Sequence, residues 1–244
     1  MINIAQQSII KRLQQQILAA EGFKASAQQP VHKVGFAAIE NHFPNHTFPT
    51  GTIHEFLCEK DEHSASTNAF IFGILSKLNS KQGYYLWIGK QRKLSPAGLK
   101  LFGILPHQII FINLTKPKDI LWATEEALKC KSLNAVISEL EGITFAQSQR
   151  LKLTVEKSRV TGFILRTQTE NISATACMAR WRISPKPSQQ AEELPGLGFT
   201  CWQVELLKVR NGSTANFEVT WRNQQFHISE IPAIPFSFKQ AIGS

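Results

Sequence analysis

A chain of 244 residues, 43% of them apolar, is long enough to bury a full α/β core as one large domain or two small ones. Its four cysteines are scattered without a Cys-x-x-Cys pair, which argues against a zinc site and against a disulfide framework. The formal charge of +9 favours an anionic partner such as DNA, because each Lys or Arg that neutralises a phosphate releases condensed counterions.

The first segment of the chain, residues 1–22, has the pattern of an amphipathic helix. Ile10, Leu13 and Ile17 share one helical face between glutamines. The segment lacks the unbroken apolar run that a signal peptide or a membrane span requires. We therefore expect a cytoplasmic protein without membrane contact, in which residues 1–47 form an N-terminal helix and a linker.

From residue 51 onward, short apolar runs alternate with amphipathic segments. Strands are predicted at residues 52–58, 83–88, 109–113, 135–138 and 161–166, with helices between them at residues 66–79, 96–102, 117–131 and 145–158. Regular alternation of this kind is typical of an α/β fold with a parallel sheet covered by helices on both faces.

After residue 166 the sequence changes to β-rich runs separated by polar loops. Three runs are predicted to be antiparallel strands that extend the sheet, at residues 173–184, 201–210 and 216–222. Residues 184–198, with two prolines and a later Pro-Gly pair, are predicted to form a mobile loop. The main domain then covers residues 48–230. The tail, residues 231–244, is either a docking peptide or a segment that packs on the core.

The turn after the first predicted strand is where P-loop proteins hold nucleotide phosphates. Their G-x-x-x-x-G-K-[ST] sequence supplies backbone N–H groups, a lysine for the phosphates and a hydroxyl for Mg²⁺. In this chain the two glycines, the lysine and the hydroxyl are replaced, in that order, by Cys58, His63, Ser64 and Ala65. Glu59, Asp61 and Glu62 add negative charge at the same place, which opposes phosphate binding.

The sequence leading into this turn, Phe48-Pro49-Thr50-Gly51-Thr52-Ile53-His54-Glu55-Phe56-Leu57, resembles that of RecA. It is more similar to the ImuA family, the RecA-like proteins of bacterial inducible-mutagenesis cassettes. Further segments that resemble ImuA follow in the same order at residues 86–88, 122–128, 180–183 and 202–212. The resemblance implies a RecA-like core, with a mostly parallel sheet flanked by helices, antiparallel C-terminal strands and an added N-terminal helix.

The resemblance also indicates which catalytic residues are missing. The place of the hydrolytic glutamate of RecA falls on Gln91, which cannot act as a base toward water. Where a Walker B aspartate would hold Mg²⁺, the chain has Glu139 and Glu141, so a carboxylate is present but out of register by one residue. We therefore expect no ATP hydrolysis, no nucleotide or metal cofactor, and a protein that is not an enzyme.

Similarity to ImuA implies an accessory role in SOS-induced, error-prone translesion DNA repair. The implied partners are a Y-family DNA polymerase homologue, RecA and, indirectly, a specialised C-family DNA polymerase, with this chain as the adaptor. Three alternatives remain open. The first is an SOS-type cell-division inhibitor, which is also small, RecA-like and without a P-loop. The second is an enzyme that binds nucleotide through an unorthodox loop at residues 58–67, and the third is a basic single-stranded-DNA-binding module.

Two groups of residues are candidates for contact with DNA or a protein partner. Lys90, Arg92 and Lys93 follow the second predicted strand, at the edge where α/β proteins build ligand sites. The second group is Arg180, Trp181 and Arg182. Its arginines offer phosphate contacts beside an aromatic surface. A solvated loop and an ordinary amphipathic strand are the alternative interpretations of the two groups.

The N-terminal helix is a third candidate surface, because RecA-family proteins use an N-terminal element to dock on a neighbouring subunit. The residues concerned are Ile10, Leu13 and Ile17. Packing on the chain's own core is the alternative. His42 and His46 are interpreted as loop histidines, since the proline between them opposes a shared helical face for a metal. His54 is interpreted as a histidine on the sheet surface.

Overall fold

The structure is a computed structural model that describes Leu13 and residues 36–78, 83–90, 94–169, 172–189 and 198–231. These residues form one nine-stranded sheet with a hydrophobic core on each of its two faces. Among them, no helix combines the length and the apolar character that crossing a membrane requires.

The helices alternate with the first five strands and are absent among the described residues of the C-terminal part. They are α1 (Ala37–Glu40), α2 (Asp61–Leu78), α3 (Pro96–Leu101), α4 (Pro117–Lys129) and α5 (Phe145–Ser158), with 3₁₀ turns at Pro44–His46 and Pro106–Gln108. The strands are β1 (Ile53–Leu57), β2 (Tyr84–Gly89), β3 (Ile109–Asn113), β4 (Leu133–Leu140), β5 (Thr161–Arg166), β6 (Ala179–Gln189), β7 (Phe199–Val209), β8 (Ala215–Arg222) and β9 (Gln225–Ile231).

The strands lie in the order β3-β2-β4-β5-β1-β6-β7-β8-β9. The first six in this order are parallel to one another, and β7, β8 and β9 continue the sheet as antiparallel strands. A mixed α/β fold with a mostly parallel core and antiparallel C-terminal strands is therefore confirmed.

Three details of the predicted elements are wrong. We predicted β6 to be antiparallel, but it lies parallel to β1, because the chain crosses the sheet after β5 and returns in the same direction. β6 also continues to Gln189, into residues predicted to be a loop, and includes Pro185 and Pro187. The prolines are tolerated because β1 pairs only with residues 179–182 of β6. The third difference is β9, which was not predicted.

The two cores differ in composition. Under α2, the core is aromatic and includes Phe56, Phe70, Trp181 and Trp202. Under α4 and α5, it is almost entirely aliphatic. Successive residues of β1 face opposite cores, as the two-residue period of a strand requires. His54, interpreted from the sequence as a surface residue, faces the aromatic core and is fully buried.

Candidate functional site

The turn between β1 and α2 lies at the carboxyl edge of the parallel strands, where α/β proteins bind ligands. Cys58, in the place of the first P-loop glycine, is buried, and its Sγ lies 3.7 Å from the Thr67 hydroxyl. Burial raises the pKa of Cys58 to about 11, so the side chain is a neutral thiol at physiological pH. The turn therefore starts with a side chain that packs inward instead of a glycine.

The other replaced positions lie in the first turns of α2. His63 is buried, Ser64 is half-buried with its hydroxyl 3.5 Å from the carbonyl of Lys60, and Ala65 is exposed. α2 begins at Asp61, five residues before the predicted start, so Asp61 and Glu62 occupy its first turn. Carboxylates are favourable there for the helix, and they place negative charge at the end that would attract a phosphate.

A third carboxylate lies at the ends of β2 and β4. Glu139 Oε1 accepts a hydrogen bond of 3.0 Å from the indole N–H of Trp87. A Cβ atom on residue 89 would lie 2.6 Å from Glu139 Oε2, so Gly89 leaves space for this carboxylate. Beside it, Glu141 forms an ion pair with Lys90. Both carboxylates at the ends of β2 and β4 thus already bind groups of the same chain.

The carboxyl edge is linked to β6 and β7 by a further ion pair. Arg182 donates to Glu59 Oε1 over 2.8 Å, and its guanidinium also lies 3.6 Å from Glu205. Of the cationic candidates for partner contact, Lys90 and Arg182 are therefore both engaged by carboxylates of the chain. Gln91, Arg92 and Lys93 lie outside the described residues, as do Ile10 and Ile17. Leu13 is described and is half exposed.

The remaining two candidates, Trp181 and Arg180, already contact groups of the same chain. Trp181 is fully buried and its ring stacks on Phe56, with centroids 5.9 Å apart, so it has no face free for a base or a partner. Arg180 donates from Nε to Glu55 over 2.7 Å and from a terminal nitrogen to the Ser173 carbonyl over 2.8 Å. These residues hold the sheet together, as the amphipathic-strand interpretation predicts.

Glu55 is the centre of an ion cluster that sequence reasoning missed. It is completely buried in β1 and binds Arg166 of β5 over 2.9 Å, Arg180 of β6 over 2.7 Å and the Thr175 hydroxyl over 2.8 Å. The available signal was the charge itself, a glutamate in the middle of an apolar strand. A buried carboxylate with two arginines is a structural connection between β5, β1 and β6.

The described residues contain no group of three or more His, Cys, Asp or Glu side chains arranged to hold a metal ion. His42, instead, lies with its Nδ1 2.8 Å from the Ser213 hydroxyl and its Nε2 3.4 Å from Glu230. The chemistry of the site is therefore that of internal hydrogen bonds and ion pairs.

The fold is that of a mixed-sheet α/β protein, and carboxylates surround the turn between β1 and α2. No family model matches the sequence. The chain is 28% identical to Protein ImuA of Caulobacter vibrioides (strain NA1000 / CB15N) over 195 residues, which covers 75% of this chain and 80% of that protein. The chain is therefore similar to ImuA over most of the length of both proteins.

Two further comparisons concern SulA proteins. The chain is 28% identical to Cell division inhibitor SulA of Klebsiella aerogenes over 143 residues, or 58% of this chain and 78% of that protein. The crystal structure of SulA from Pseudomonas aeruginosa superimposes with a TM-score of 0.42 and 19% identity, covering 49% of this chain and 99% of the SulA chain.

Proposed function

We propose that this chain is a non-catalytic accessory protein of SOS-induced, error-prone translesion DNA repair. It would have a RecA-like core and act in the cytoplasm as an adaptor between RecA, a Y-family DNA polymerase homologue and, indirectly, a specialised C-family DNA polymerase. The observation that carries the proposal is the similarity to ImuA across 75% of the chain.

The geometry of the carboxyl edge supports the non-catalytic part of this proposal. A phosphate at the β1–α2 turn would approach Glu139 and the acidic first turn of α2. Two like unit charges 4 Å apart repel by ~4 kcal/mol at an effective dielectric constant of ~20. The lysine and glycines that would offset this repulsion are replaced. Lys90, which directly follows β2, is already paired with Glu141.

A RecA-like surface without ATP-driven switching fits an adaptor. An ATPase of this class changes its affinity for neighbours as it binds and hydrolyses nucleotide, whereas this chain would present the same surface continuously. Added to the end of a RecA assembly, it could bind one subunit without completing an ATP-bridged interface. It would then connect RecA to a polymerase, or limit growth of the assembly.

The experiment that tests the adaptor role is affinity capture of the tagged, full-length protein from DNA-damaged cells in the presence of nuclease. We expect the co-purifying proteins to include a Y-family polymerase homologue or RecA. Recovery of neither would reject the proposal. Nuclease is essential, because a chain of charge +9 can co-purify with DNA-binding proteins through shared nucleic acid.

A second experiment separates an adaptor from a nucleotide-binding enzyme. Titration with a fluorescent ATP analogue and Mg²⁺ is expected to show no saturable binding below ~1 mM, an affinity of only about −4 kcal/mol. Saturable binding that disappears in a Thr67→Ala variant would revive the enzyme interpretation, because Thr67, in α2, contacts Cys58 of the turn.

The similarity to SulA favours one other function, inhibition of cell division. Capture of the tubulin-like division protein in place of RecA or a polymerase would support that function. Direct DNA binding is less well supported, because Arg180 and Arg182 both bind carboxylates of the chain. A DNA-binding module would show affinity that falls steeply with salt concentration.

A further inference from the structure

The outer surface of α4 and α5 exposes large apolar side chains. Trp122 is 66% exposed on α4, and Leu153 is 52% exposed on α5. Tryptophan and arginine side chains are frequent anchors of protein interfaces, and burial of an exposed tryptophan on binding removes a large apolar surface from water.

An ion pair joins the two helices close to these two side chains. Glu125 of α4 and Arg150 of α5 form an ion pair that ties the helices side by side. Trp122 precedes Glu125 by three residues and Leu153 follows Arg150 by three residues, so each apolar residue shares a helix face with one member of the pair. We call Trp122, Glu125, Arg150 and Leu153 the α4–α5 row.

Within the row, Arg150 is exposed to solvent and Glu125 is largely buried. The Arg150 side chain is 66% exposed, whereas that of Glu125 is 18% exposed. The guanidinium has five donors, and a single carboxylate occupies only part of that capacity. Arg150 is therefore able to receive a second carboxylate between the two apolar residues.

The charge of the surrounding surface selects the kind of occupant. Residues 117–131 and 144–159 contain seven basic and four acidic side chains, a net charge of +3. A second copy would bring the same positive face. The ends of this chain outside the described residues are also basic, with net charges of +3 for residues 1–35 and +1 for residues 232–244. Like charges oppose each of these occupants.

We propose that the α4–α5 row is a docking site for an acidic amphipathic segment of a partner protein. Apolar side chains of the segment cover Trp122 and Leu153, and one of its carboxylates binds Arg150. This is the helix-in-groove mode of recognition, in which apolar anchors on one face of the segment supply affinity and charges set the orientation. The inference deepens the adaptor proposal and rests on it for the biological meaning of the contact.

The test uses selection from a displayed library of 16-residue peptides against the full-length protein, followed by fluorescence anisotropy with labelled selected peptides. We expect selected peptides to be acidic, with apolar residues on one helical face about two turns apart. Trp122→Ala is expected to weaken their binding at least ~10-fold, as for an interface anchor. Arg150→Glu is expected to abolish it, because the substitution places two carboxylates opposite the acidic segment.

The matched control is Leu101→Ala, since Leu101 is 70% exposed on α3 and lies outside the row. Binding by this variant should equal that of the wild type, and unchanged thermal unfolding should show that the row variants fold. Selection of neutral or basic peptides, or binding insensitive to Trp122→Ala, would overturn the inference. Self-association abolished by Trp122→Ala would overturn it as well, in favour of a second copy.

Capture from DNA-damaged cells separates this inference from the proposed function. If Trp122→Ala protein recovers RecA or the polymerase homologue as well as the wild type does, the adaptor role stands and the docking site is rejected. If neither protein is captured by the wild type while acidic peptides bind at the row, the docking site stands and the adaptor role is rejected.

Discussion

The parallel half of the sheet, β1 to β6, and the antiparallel half, β7 to β9, are built on different patterns. β1 and β5 are buried along their whole length, because helices or neighbouring segments cover both faces. In β7, buried Trp202, Val204 and Leu206 alternate with half-buried Gln203 and Glu205, the pattern of a strand with one apolar face. The halves meet where β6 pairs with parallel β1 and antiparallel β7, which we call the junction.

At the junction, buried polar groups determine how the parallel and antiparallel halves of the sheet are joined. Glu55 connects strands on either side of β1, and His54 contacts Trp181 across β1 and β6. A buried polar group is stable only when its own hydrogen-bonding partners are in place. Such groups therefore fix a single strand register, whereas apolar packing alone tolerates several. The predictions below test this difference between the junction and the rest of the molecule.

The largest effect is expected from Glu55→Gln. The substitution keeps the shape of the side chain but leaves two arginines, Arg166 and Arg180, without their shared counter-charge. Removing one partner from a buried ion cluster lowers the free energy of unfolding by ~3–5 kcal/mol. Urea denaturation of both proteins measures this change.

The control is Glu62→Gln, whose ion pair with Lys60 spans 3.7 Å between side chains that are 59% and 67% exposed. Its effect should be below ~1 kcal/mol, as for exposed pairs in general. Equal effects of the two substitutions would show that the junction does not depend on its buried charges.

A second prediction concerns the pH dependence of stability at His54. Burial lowers the pKa of His54 from 6.5 to about 4, although its hydrogen bond to the Pro49 carbonyl acts in the opposite direction. Between these pH values the unfolded chain binds a proton that the folded chain does not bind. Stability is therefore lost as pH falls through this window, by up to ~3 kcal/mol from this one group.

Denaturation at several pH values between 6.5 and 4 tests this prediction by comparison with His54→Gln. The variant is less stable overall, because it loses the ring contacts with Phe48 and Trp181. Its stability should nevertheless fall less steeply with pH, while carboxylates contribute equally to both proteins. Parallel pH profiles would mean that His54 is not held neutral in the core.

A third prediction tests how the antiparallel half packs on α2. A Cβ atom on Gly73 would lie 2.1 Å from the ring of Phe226 in β9. That ring cannot move freely, since its centroid lies 4.4 Å from Phe36 and 4.6 Å from Trp221. Gly73→Ala is thus expected to destabilise the protein by ~1–3 kcal/mol, although alanine favours helices over glycine by ~1 kcal/mol.

Gly98→Ala is the matched control, because a Cβ atom at this helical glycine of α3 meets no other atom within 4 Å. It should be neutral or stabilising in thermal unfolding. Phe226→Leu combined with Gly73→Ala should recover part of the loss by opening space for the added methyl group. Failure of Gly73→Ala to destabilise would place β9 away from α2.

The same two halves explain what could be predicted from the sequence. The bounds of β3, α5 and β5 agree residue for residue with their predictions, because each is a local apolar pattern with clear ends. β9 was missed because its sequence Gln-Phe-His-Ile-Ser-Glu-Ile alternates weakly and follows a two-residue turn. The predicted direction of β6 was wrong, because the sequence of a strand does not determine which strand it pairs with.

The candidate site shows a similar limit. Replacement of the P-loop residues is a prediction that the sequence alone allows, since Cys58, His63, Ser64 and Ala65 lie in one short stretch of the chain. The partners of Arg180 and Arg182 could not be predicted from it, because Glu55 and Glu59 lie more than 120 residues away in the chain. Ion pairs at such separations follow from the strand order, which the local pattern does not determine.

The smallest effect is expected at the carboxyl edge, where ion pairs are partly exposed. Lys90 and Glu141 have side chains that are 49% and 35% exposed, so water already solvates both charges and their attraction adds little. Glu141→Gln is expected to lower the free energy of unfolding by no more than ~1 kcal/mol, and by less still in ~1 M salt, where the Debye length falls to ~3 Å. Urea denaturation at low and high salt measures both values. A loss approaching that of Glu55→Gln would mean that the edge, like the junction, is part of the structural framework.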